Sequence, residues 1–244
     1  MTLEVKDLTG GYGPLSVLKN ETFDVQKNEI VGLIGLNGAG KSTTIKHIIG
    51  LLKPRSGEIL IDNLALADNV EEYRKKIAYV PEMPILYSEL TLKEHIDLTI
   101  MAYDLDHDST WDKAKILLEK FRLNNKLDWF PENFSKGMKQ KVMIVCAFMR
   151  DASLFIIDEP FTGLDPIAVH DLIELVEEKK ANGSSILMST HNLATAEQYA
   201  DRFVLINNGQ IKIEGSIEQL RTSFEMPNAS LDDIYMELTK EVIK

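Results

Sequence analysis

A glycine-rich segment ending in Lys41 and Ser42 carries the strongest chemical signal in the sequence. It reads Gly35-Leu36-Asn37-Gly38-Ala39-Gly40-Lys41-Ser42 and continues with Thr43. Successive backbone N–H groups of such a loop, together with the next helix N-terminus, bind phosphate oxygens. The pattern predicts that Lys41 binds the β- and γ-phosphates of a nucleotide and that the Ser42 hydroxyl binds Mg²⁺. The alternative is a turn without a ligand, which the flanking apolar run and helical pattern disfavour.

Two adjacent carboxylates, Asp158 and Glu159, follow the apolar run Leu154–Ile157. A buried strand would deliver them to the sheet edge where open α/β proteins bind phosphates. Asp158 suits the Mg²⁺ shell, and Glu159 suits a base or an orienting group for the attacking water. Apolar strands that end in two acids also occur in purely structural roles. The phosphate loop upstream favours the catalytic interpretation.

Five further segments are individually weak signals. They are Tyr12, Tyr79–Glu82, Ser135–Gly137, Thr162–Asp165 and Ser189–Asn192. Ser135 is typical of a helix N-cap, and the free N–H groups of that helix would form a second anion site. The alternatives are an ordinary capped helix, a hairpin tyrosine and a structural histidine. The histidines outside these segments show no metal-ligand spacing and are expected to pack or to lie on the surface.

In this order, the motifs resemble those of ABC-type ATPases. The resemblance implies that Tyr12 stacks on adenine and that His191 contacts the γ-phosphate. It also implies that Ser135–Gly137 and Asp165 bind a nucleotide held by a second subunit, and that Glu82 takes part in catalysis and metal binding. The cofactors implied are ATP and Mg²⁺.

Two residues depart from the family pattern. Glu82 stands where the family usually has glutamine, and Lys136 stands where it usually has glycine. Glu82 retains an oxygen for Mg²⁺, or else it points toward a membrane partner and serves coupling. A lysine near a helix N-terminus is unfavourable by about 0.3–1 kcal/mol unless an anion lies there.

Three segments resemble the ATPase subunits of Ecs-type transporters in particular. They are Phe134–Met149, Leu193–Asp201 and Leu231–Lys240. This resemblance implies an ATPase subunit that powers a separate integral membrane transporter subunit, as an exporter. Two copies would form a head-to-tail dimer with ATP sandwiched between them. The expected location is cytoplasmic and peripheral, on the inner face of the plasma membrane.

The elements that must position these residues alternate between strands and helices. The continuous apolar run Ile30–Ile34 is typical of a central parallel strand, and a helix is predicted from Lys41 to Leu52, ended by Pro54. Helical spacing dominates from about Thr91 to Arg150. We therefore expect an α/β fold: a phosphate-loop (RecA-like) ATPase core with an antiparallel β subdomain and a helical insertion, the ABC ATPase fold.

The expected domains are a nucleotide-binding domain over 1–220, with its helical subdomain at about 83–150, and a C-terminal helical tail over 221–244. The tail presents apolar residues at helical spacing, which predicts one buried helix face. These residues are Leu231, Ile234, Tyr235 and Leu238.

Composition restricts the other classes of function. The 244 residues, 44% of them hydrophobic, suffice for one large domain, and 27 Lys+Arg against 38 Asp+Glu give a net charge of −11. This acidity disfavours nucleic acid as a partner. The single Cys146 allows no intrachain disulfide, and the longest apolar run, Val142–Met149, is too short to span a bilayer. The chain is expected to be soluble and cytosolic.

Two alternatives come from other classes of protein. One is a soluble ABC ATPase acting in DNA repair or translation, which the single cassette and the acidic charge disfavour. The other is a nucleotide sensor that does not hydrolyse ATP, which Glu159 and His191 disfavour.

Overall fold

The computed structural model describes the backbone of residues 1–241 and the side chains of residues 1–238. The strands are β1 (Leu3–Tyr12), β2 (Leu15–Val25), β3 (Ile30–Ile34), β4 (Ser56–Ile61), β5 (Leu64–Ala65), β6 (Ile77–Val80), β7 (Leu154–Asp158), β8 (Ser185–Thr190), β9 (Arg202–Asn207) and β10 (Gln210–Gly215). The helices are α1 (Lys41–Ile48), α2 (Val70–Lys75), α3 (Leu92–Ala102), α4 (His107–Lys120), α5 (Lys136–Phe148), α6 (Pro166–Ala181), α7 (Leu193–Tyr199), α8 (Ile217–Ser223) and α9 (Leu231–Glu241), with a short 3-10 helix at Pro131–Asn133.

The larger sheet has the strand order β10-β9-β3-β8-β7-β6. From β9 to β6 all neighbouring strands are parallel, and β10 joins the edge as an antiparallel hairpin. Every residue of β3 is buried, as its continuous apolar run predicts for a strand covered on both faces. Parallel pairing therefore brings the carboxyl ends of five strands to one edge.

The second sheet is antiparallel, with the order β2-β1-β4-β5. It shares a core with α1 and with β3, in which Ile45 and Ile48 of α1 are fully buried. A separate core joins α3, α4 and α5 to the other face of the larger sheet. No helix within residues 1–241 combines the length and the apolar character needed to cross a bilayer.

Helix α1 ends four residues earlier than the sequence predicts. It ends at Ile48, and Gly50 then turns the chain with a φ of 74°. A glycine in this left-handed region is a common way to end a helix. The N–H groups of Leu51 and Leu52 donate to the Lys46 carbonyl at 2.9 and 3.0 Å. The prediction that the helix reaches Leu52 is wrong, since a left-handed glycine, rather than Pro54, ends it.

The last helix packs against the larger sheet with the face predicted from its sequence. Leu231, Ile234, Tyr235 and Leu238 are 0–6% exposed and pack against β3 and β9. Helix α8 crosses residue 220, where the sequence predicts the start of the tail. Residues 242–244 of the predicted tail lie outside the described residues.

A buried glutamate lies beneath α1. Glu21 of β2 is fully buried, and its carboxylate accepts a hydrogen bond from the Thr44 hydroxyl at 2.8 Å. Burial raises the pKa of Glu21 to about 7, although the hydrogen bond from Thr44 partly opposes this rise. The folded state therefore holds this proton more tightly than the unfolded chain does.

The raised pKa of Glu21 leads us to expect that the stability of the fold depends on pH. The free energy of unfolding should fall as pH rises from about 4.5 to about 7, because ionisation of Glu21 is easier in the unfolded chain, by up to about 3 kcal/mol. Glu21→Gln keeps an acceptor for Thr44 without the charge, so its advantage over wild type should grow as pH rises from about 4.5 to about 7 and be largest above pH 7. Urea unfolding at pH 5 and pH 8 measures both. The exposed Glu58→Gln is the control, and an equal advantage of Glu21→Gln at both pH values would contradict this assignment.

Candidate nucleotide-binding site

Four neighbouring parallel strands deliver the candidate residues to the same sheet edge. The glycine-rich loop follows β3, His191 follows β8, Asp158 ends β7, and Glu82 lies two residues beyond β6. Open α/β sheets bind their ligands at the carboxyl ends of such strands. The sheet therefore assembles segments that are far apart in the sequence.

The ammonium group of Lys41 lies inside its own loop. Nζ donates to the Gly35 carbonyl at 2.7 Å, lies 3.4 Å from the Leu36 carbonyl and pairs with Glu159 Oε1 at 3.3 Å. The Lys41 side chain is only 6% exposed. Two backbone oxygens and one carboxylate thus hold a compact cation within the loop.

Asp158 lies between two hydroxyl groups. The Ser189 hydroxyl donates to its Oδ1, and Ser42 Oγ lies 3.5 Å from the same oxygen. Burial raises the pKa of Asp158 and the charge of Glu159 adds to the rise, whereas the hydroxyls of Ser189 and Ser42 oppose it. The Ser42 and Asp158 oxygens are of the kind that Mg²⁺ prefers.

Glu159 connects the loop lysine with the histidine beyond β8. Its Oε2 lies 2.7 Å from His191 Nδ1 and accepts the His191 backbone N–H at 3.3 Å, while Oε1 faces Lys41. Glu159 has a φ of 48°. Residues other than glycine adopt this conformation rarely, and often at functional sites. The Glu159 carboxylate is 7% exposed and lies between the ammonium group of Lys41 and the ring nitrogen of His191.

Tyr12 lies outside this buried group, on the exposed side of α1. Its side chain is 44% exposed, and its hydroxyl accepts a hydrogen bond from Lys46 Nζ at 3.0 Å. That hydrogen bond lowers the pKa of Tyr12. The ring is accessible beside the loop, as a base-stacking role requires.

Glu82 is exposed, and its charge acts on the same region as that of Asp158. Burial raises the pKa of Tyr79, and the negative charges of Asp158 and Glu82 raise it further. Glu82, two residues beyond β6, and Asp158, at the end of β7, therefore both influence the same phenol electrostatically.

Helix α5 begins as the sequence predicts. The Ser135 side chain accepts the Met138 N–H at 3.2 Å. Lys136 follows at the first helical position and is exposed, beside Gly163. Gly137 has to be glycine here, since a Cβ would overlap the Gly163 carbonyl oxygen.

Two side chains of α5 tie this helix to other candidate segments. Gln140 Nε2 donates to the Pro81 carbonyl at 3.0 Å, next to Glu82. Lys141 Nζ pairs at 2.8 Å with Asp165, which caps α6. Among residues 1–238, no hydrogen bond or ion pair joins Ser135–Gly137 to the glycine-rich loop of the same chain.

Sequence reasoning missed two contacts of the loop region. Lys46 holds Tyr12, and Tyr235 of α9 accepts the Leu36 N–H at 2.8 Å. Lys46 follows Ser42 by one helical turn, so the spacing could have placed it on the surface of α1. No sequence signal connects Leu36 with a tyrosine 199 positions away.

The remaining histidines include one that lies beside two carboxylates. His170, Asp171 and Glu174 offer ligand atoms within 4.8 Å of one another. This proximity was not predicted from the sequence, because no metal-ligand spacing was found around His170. Both carboxylates are already paired, however, Asp171 with Arg122 at 2.8 Å and Glu174 with Lys120 at 2.7 Å. This group is a surface ion-pair network.

The fold and the edge geometry define a phosphate-loop nucleoside triphosphatase. The profile of the ABC transporter family matches residues 18–162. The EcsA ABC-type transporter ATP-binding protein of Bacillus subtilis (strain 168) is 55% identical over 98% of this chain and 97% of its own length. The chain belongs to the ABC transporter family, as an ATP-binding, ATP-hydrolysing subunit similar to EcsA.

Solved structures agree with this assignment. An ATP-binding subunit of an ABC transporter is 56% identical, covers 98% of this chain and 100% of its own, and superposes with a TM-score of 0.95. A dimeric ATP-binding cassette bound to ADP and Pi in a post-hydrolysis state is 25% identical over 88% of this chain and 98% of its own, with a TM-score of 0.79. The predicted ABC ATPase fold and transporter class are confirmed, and the relatives are not DNA-repair or translation factors.

Proposed function

We propose that this chain hydrolyses ATP with Mg²⁺ to power a separate, EcsB-like integral membrane subunit in export of the Ecs type. The observation that carries the catalytic part is the cluster of Lys41, Asp158, Glu159 and His191 at one sheet edge. Copurification from detergent-solubilised membranes, followed by an ATPase assay with and without the membrane subunit, tests the whole proposal. Failure to copurify any integral membrane protein would contradict the transport role.

The proposed roles follow from the contacts. Gly35–Thr43 wraps the phosphates, Lys41 binds the β- and γ-phosphates, and Tyr12 stacks on adenine. Ser42 and Asp158 hold Mg²⁺, which when bound neutralises charge on the phosphate oxygens. Their oxygens are hard ligands already 3.5 Å apart, which supports this assignment.

Glu159 is the proposed base or orienting group for the attacking water. His191 would hold the Glu159 carboxylate in place in the absence of nucleotide and contact the γ-phosphate when ATP is bound. The 2.7 Å contact between them supports this pairing. For Glu82 we propose an oxygen at the metal, because it lies two residues beyond β6, the strand paired with the one that ends in Asp158. Coupling to the membrane subunit is the alternative role of Glu82, and it would leave ATP hydrolysis by the isolated subunit unchanged in Glu82→Gln.

The proposed docking surface for the membrane subunit is the segment that follows Glu82. Met83, Ile85 and Tyr87 are 66%, 76% and 62% exposed, which places three large apolar side chains on one short surface segment. Exposed apolar patches of this kind mark interaction sites. The predicted position on the inner face of the plasma membrane, in the cytoplasm, follows from this role. The hydrogen bond from Gln140 to Pro81 connects the surface with the helix that carries Ser135.

The proposed active form is a head-to-tail dimer with two shared sites. Each ATP would lie between Gly35–Thr43 of one copy and Ser135–Gly137 of the other, with Asp165 nearby. The dimeric cassette bound to ADP and Pi, a relative of this chain, supports the arrangement. The exposed start of α5 also supports it, because Ser135 accepts the Met138 N–H while residues 1–238 show no acceptor for those of Lys136 and Gly137, which leaves these two N–H groups available to a phosphate.

The shared site predicts complementation between two defective variants. Ser135→Arg should block the start of α5 by bulk, so that hydrolysis is lost while ATP binding to the monomer stays within about twofold of wild type. Mixed with Lys41→Ala, it forms a dimer with one doubly defective and one intact site. Phosphate release by the mixture should therefore recover in part.

The control places the same bulky cation elsewhere on the helical subdomain. Asn124→Arg, at an exposed turn, should hydrolyse ATP normally. If mixed dimers form but release no phosphate, the two shared sites do not act independently.

A further inference from the structure

The last helix, α9, lies directly beneath the strand that leads into the phosphate loop. Its buried face packs against Ile34 of β3 and against Phe203 and Leu205 of β9. Tyr235 lies on this face and is 3% exposed. The phenol therefore approaches the loop from the side opposite the lysine.

One peptide group of the loop is held from both sides. The N–H of Leu36 donates to the Tyr235 hydroxyl at 2.8 Å, and the carbonyl of Gly35 accepts from Lys41 Nζ at 2.7 Å. These two groups belong to the same peptide unit and point in opposite directions, because the peptide is planar and trans. Tyr235 thus fixes the rotation of the unit whose other end binds the lysine ammonium.

The start of α9 is anchored by a second contact. The Leu231 N–H donates to Glu197 Oε2 at 2.8 Å, and Arg221 pairs with the other Glu197 oxygen at 3.0 Å. Glu197 belongs to α7, which begins two residues after His191. The apolar packing of α9 and the hydrogen bond of Leu231 to Glu197 together fix the position of Tyr235 relative to the loop.

We infer that Tyr235 is a positioning residue for nucleotide binding, which acts on Lys41 through the Gly35–Leu36 peptide. Without the hydroxyl, the Leu36 N–H loses its acceptor and the peptide can rotate. The Gly35 carbonyl then no longer directs the ammonium toward the β- and γ-phosphates. The inference rests on the phosphate-binding role proposed for Lys41.

Tyr235→Phe tests the inference, because it keeps the buried ring and removes only the hydroxyl. The dissociation constants for ADP and ATP, measured by calorimetry, should each rise about fivefold, the effect of one lost hydrogen bond. Hydrolysis at saturating ATP should stay within about twofold of wild type, so KM changes and kcat does not. The matched control is Tyr73→Phe, which removes a buried hydroxyl bonded to the Ile48 carbonyl at 2.7 Å, at the far end of α1.

Two outcomes of the binding measurement would overturn the inference: wild-type affinity in Tyr235→Phe, or an equal loss in Tyr73→Phe, which would mark a general effect of destabilisation. Amide hydrogen exchange of the unmodified full chain without nucleotide provides an independent measurement. The Leu36 amide should exchange at least about tenfold more slowly than its exposed neighbours Asn37 and Gly38. Exchange of Leu36 as fast as theirs would also overturn it. This measurement needs no nucleotide, so it separates failure of the Tyr235 contact from failure of the role proposed for Lys41.

Discussion

Glu159→Gln is expected to reduce ATP turnover by at least about 100-fold while leaving ATP binding intact. The substitution keeps the shape of the side chain and an oxygen that accepts from His191, but it removes the charge that orients or deprotonates water. The buried carboxylate contacts both Lys41 and His191, and no other carboxylate of residues 1–238 pairs with either of them. Phosphate release at saturating ATP and Mg²⁺ measures the loss.

The same variant should accumulate as a dimer in the presence of ATP, because the sandwich forms and is not opened by hydrolysis. Size-exclusion chromatography with ATP measures this form. Glu174→Gln is the control, since it removes a carboxylate from a surface ion pair with Lys120. Normal turnover in Glu159→Gln would exclude Glu159 as the catalytic carboxylate.

Lys41→Ala is expected to weaken ATP binding by about 100-fold, and to abolish turnover. Charge-assisted hydrogen bonds from a buried ammonium contribute about 1.5–3 kcal/mol. The variant also leaves the Gly35 carbonyl and Glu159 Oε1 without their cation. Equilibrium binding of ATP and ADP, followed by an ATPase assay, tests both parts.

Lys53→Ala provides the matched control, because this lysine is exposed and lies beyond the end of α1. Its affinity and turnover should equal those of wild type. If Lys41→Ala bound ATP with normal affinity, the phosphate-binding role proposed for Lys41 would be wrong. Thermal unfolding of both variants shows whether any loss reflects the fold instead.

Local sequence patterns predicted those elements in which the spacing of apolar residues and the helix-capping or helix-breaking residues indicate the same structure. The apolar run Ile30–Ile34 became the central strand, and the cap at Ser135 formed as expected. The buried face of α9 followed from helical spacing alone. The end of α1 was missed because Gly50 and Pro54 are both helix breakers, and the sequence does not show which one acts first.

Contacts between distant segments were beyond prediction. The motifs indicated that Lys41, Glu159 and His191 share a site, but not that Glu159 binds both of the others at once. The bond between Leu36 and Tyr235 depends on how α9 crosses beneath β3, which no local pattern encodes. Glu21 occupies a buried position of β2 in line with Phe23 and Val25, and only the packing of α1 shows that the Thr44 hydroxyl reaches one of its oxygens.

The pairing of Lys41 with Glu159 also bears on which anions the site accepts. Both side chains are less than a tenth exposed, so an anion that takes the lysine leaves a buried carboxylate without its cation. Stranding one partner of a buried pair costs about 3–5 kcal/mol. Chloride or free phosphate brings no cation to the neighbourhood of that carboxylate, whereas the nucleotide proposed for this site would arrive with a divalent cation. We therefore expect this ion pair to disfavour the binding of simple inorganic anions relative to a nucleotide.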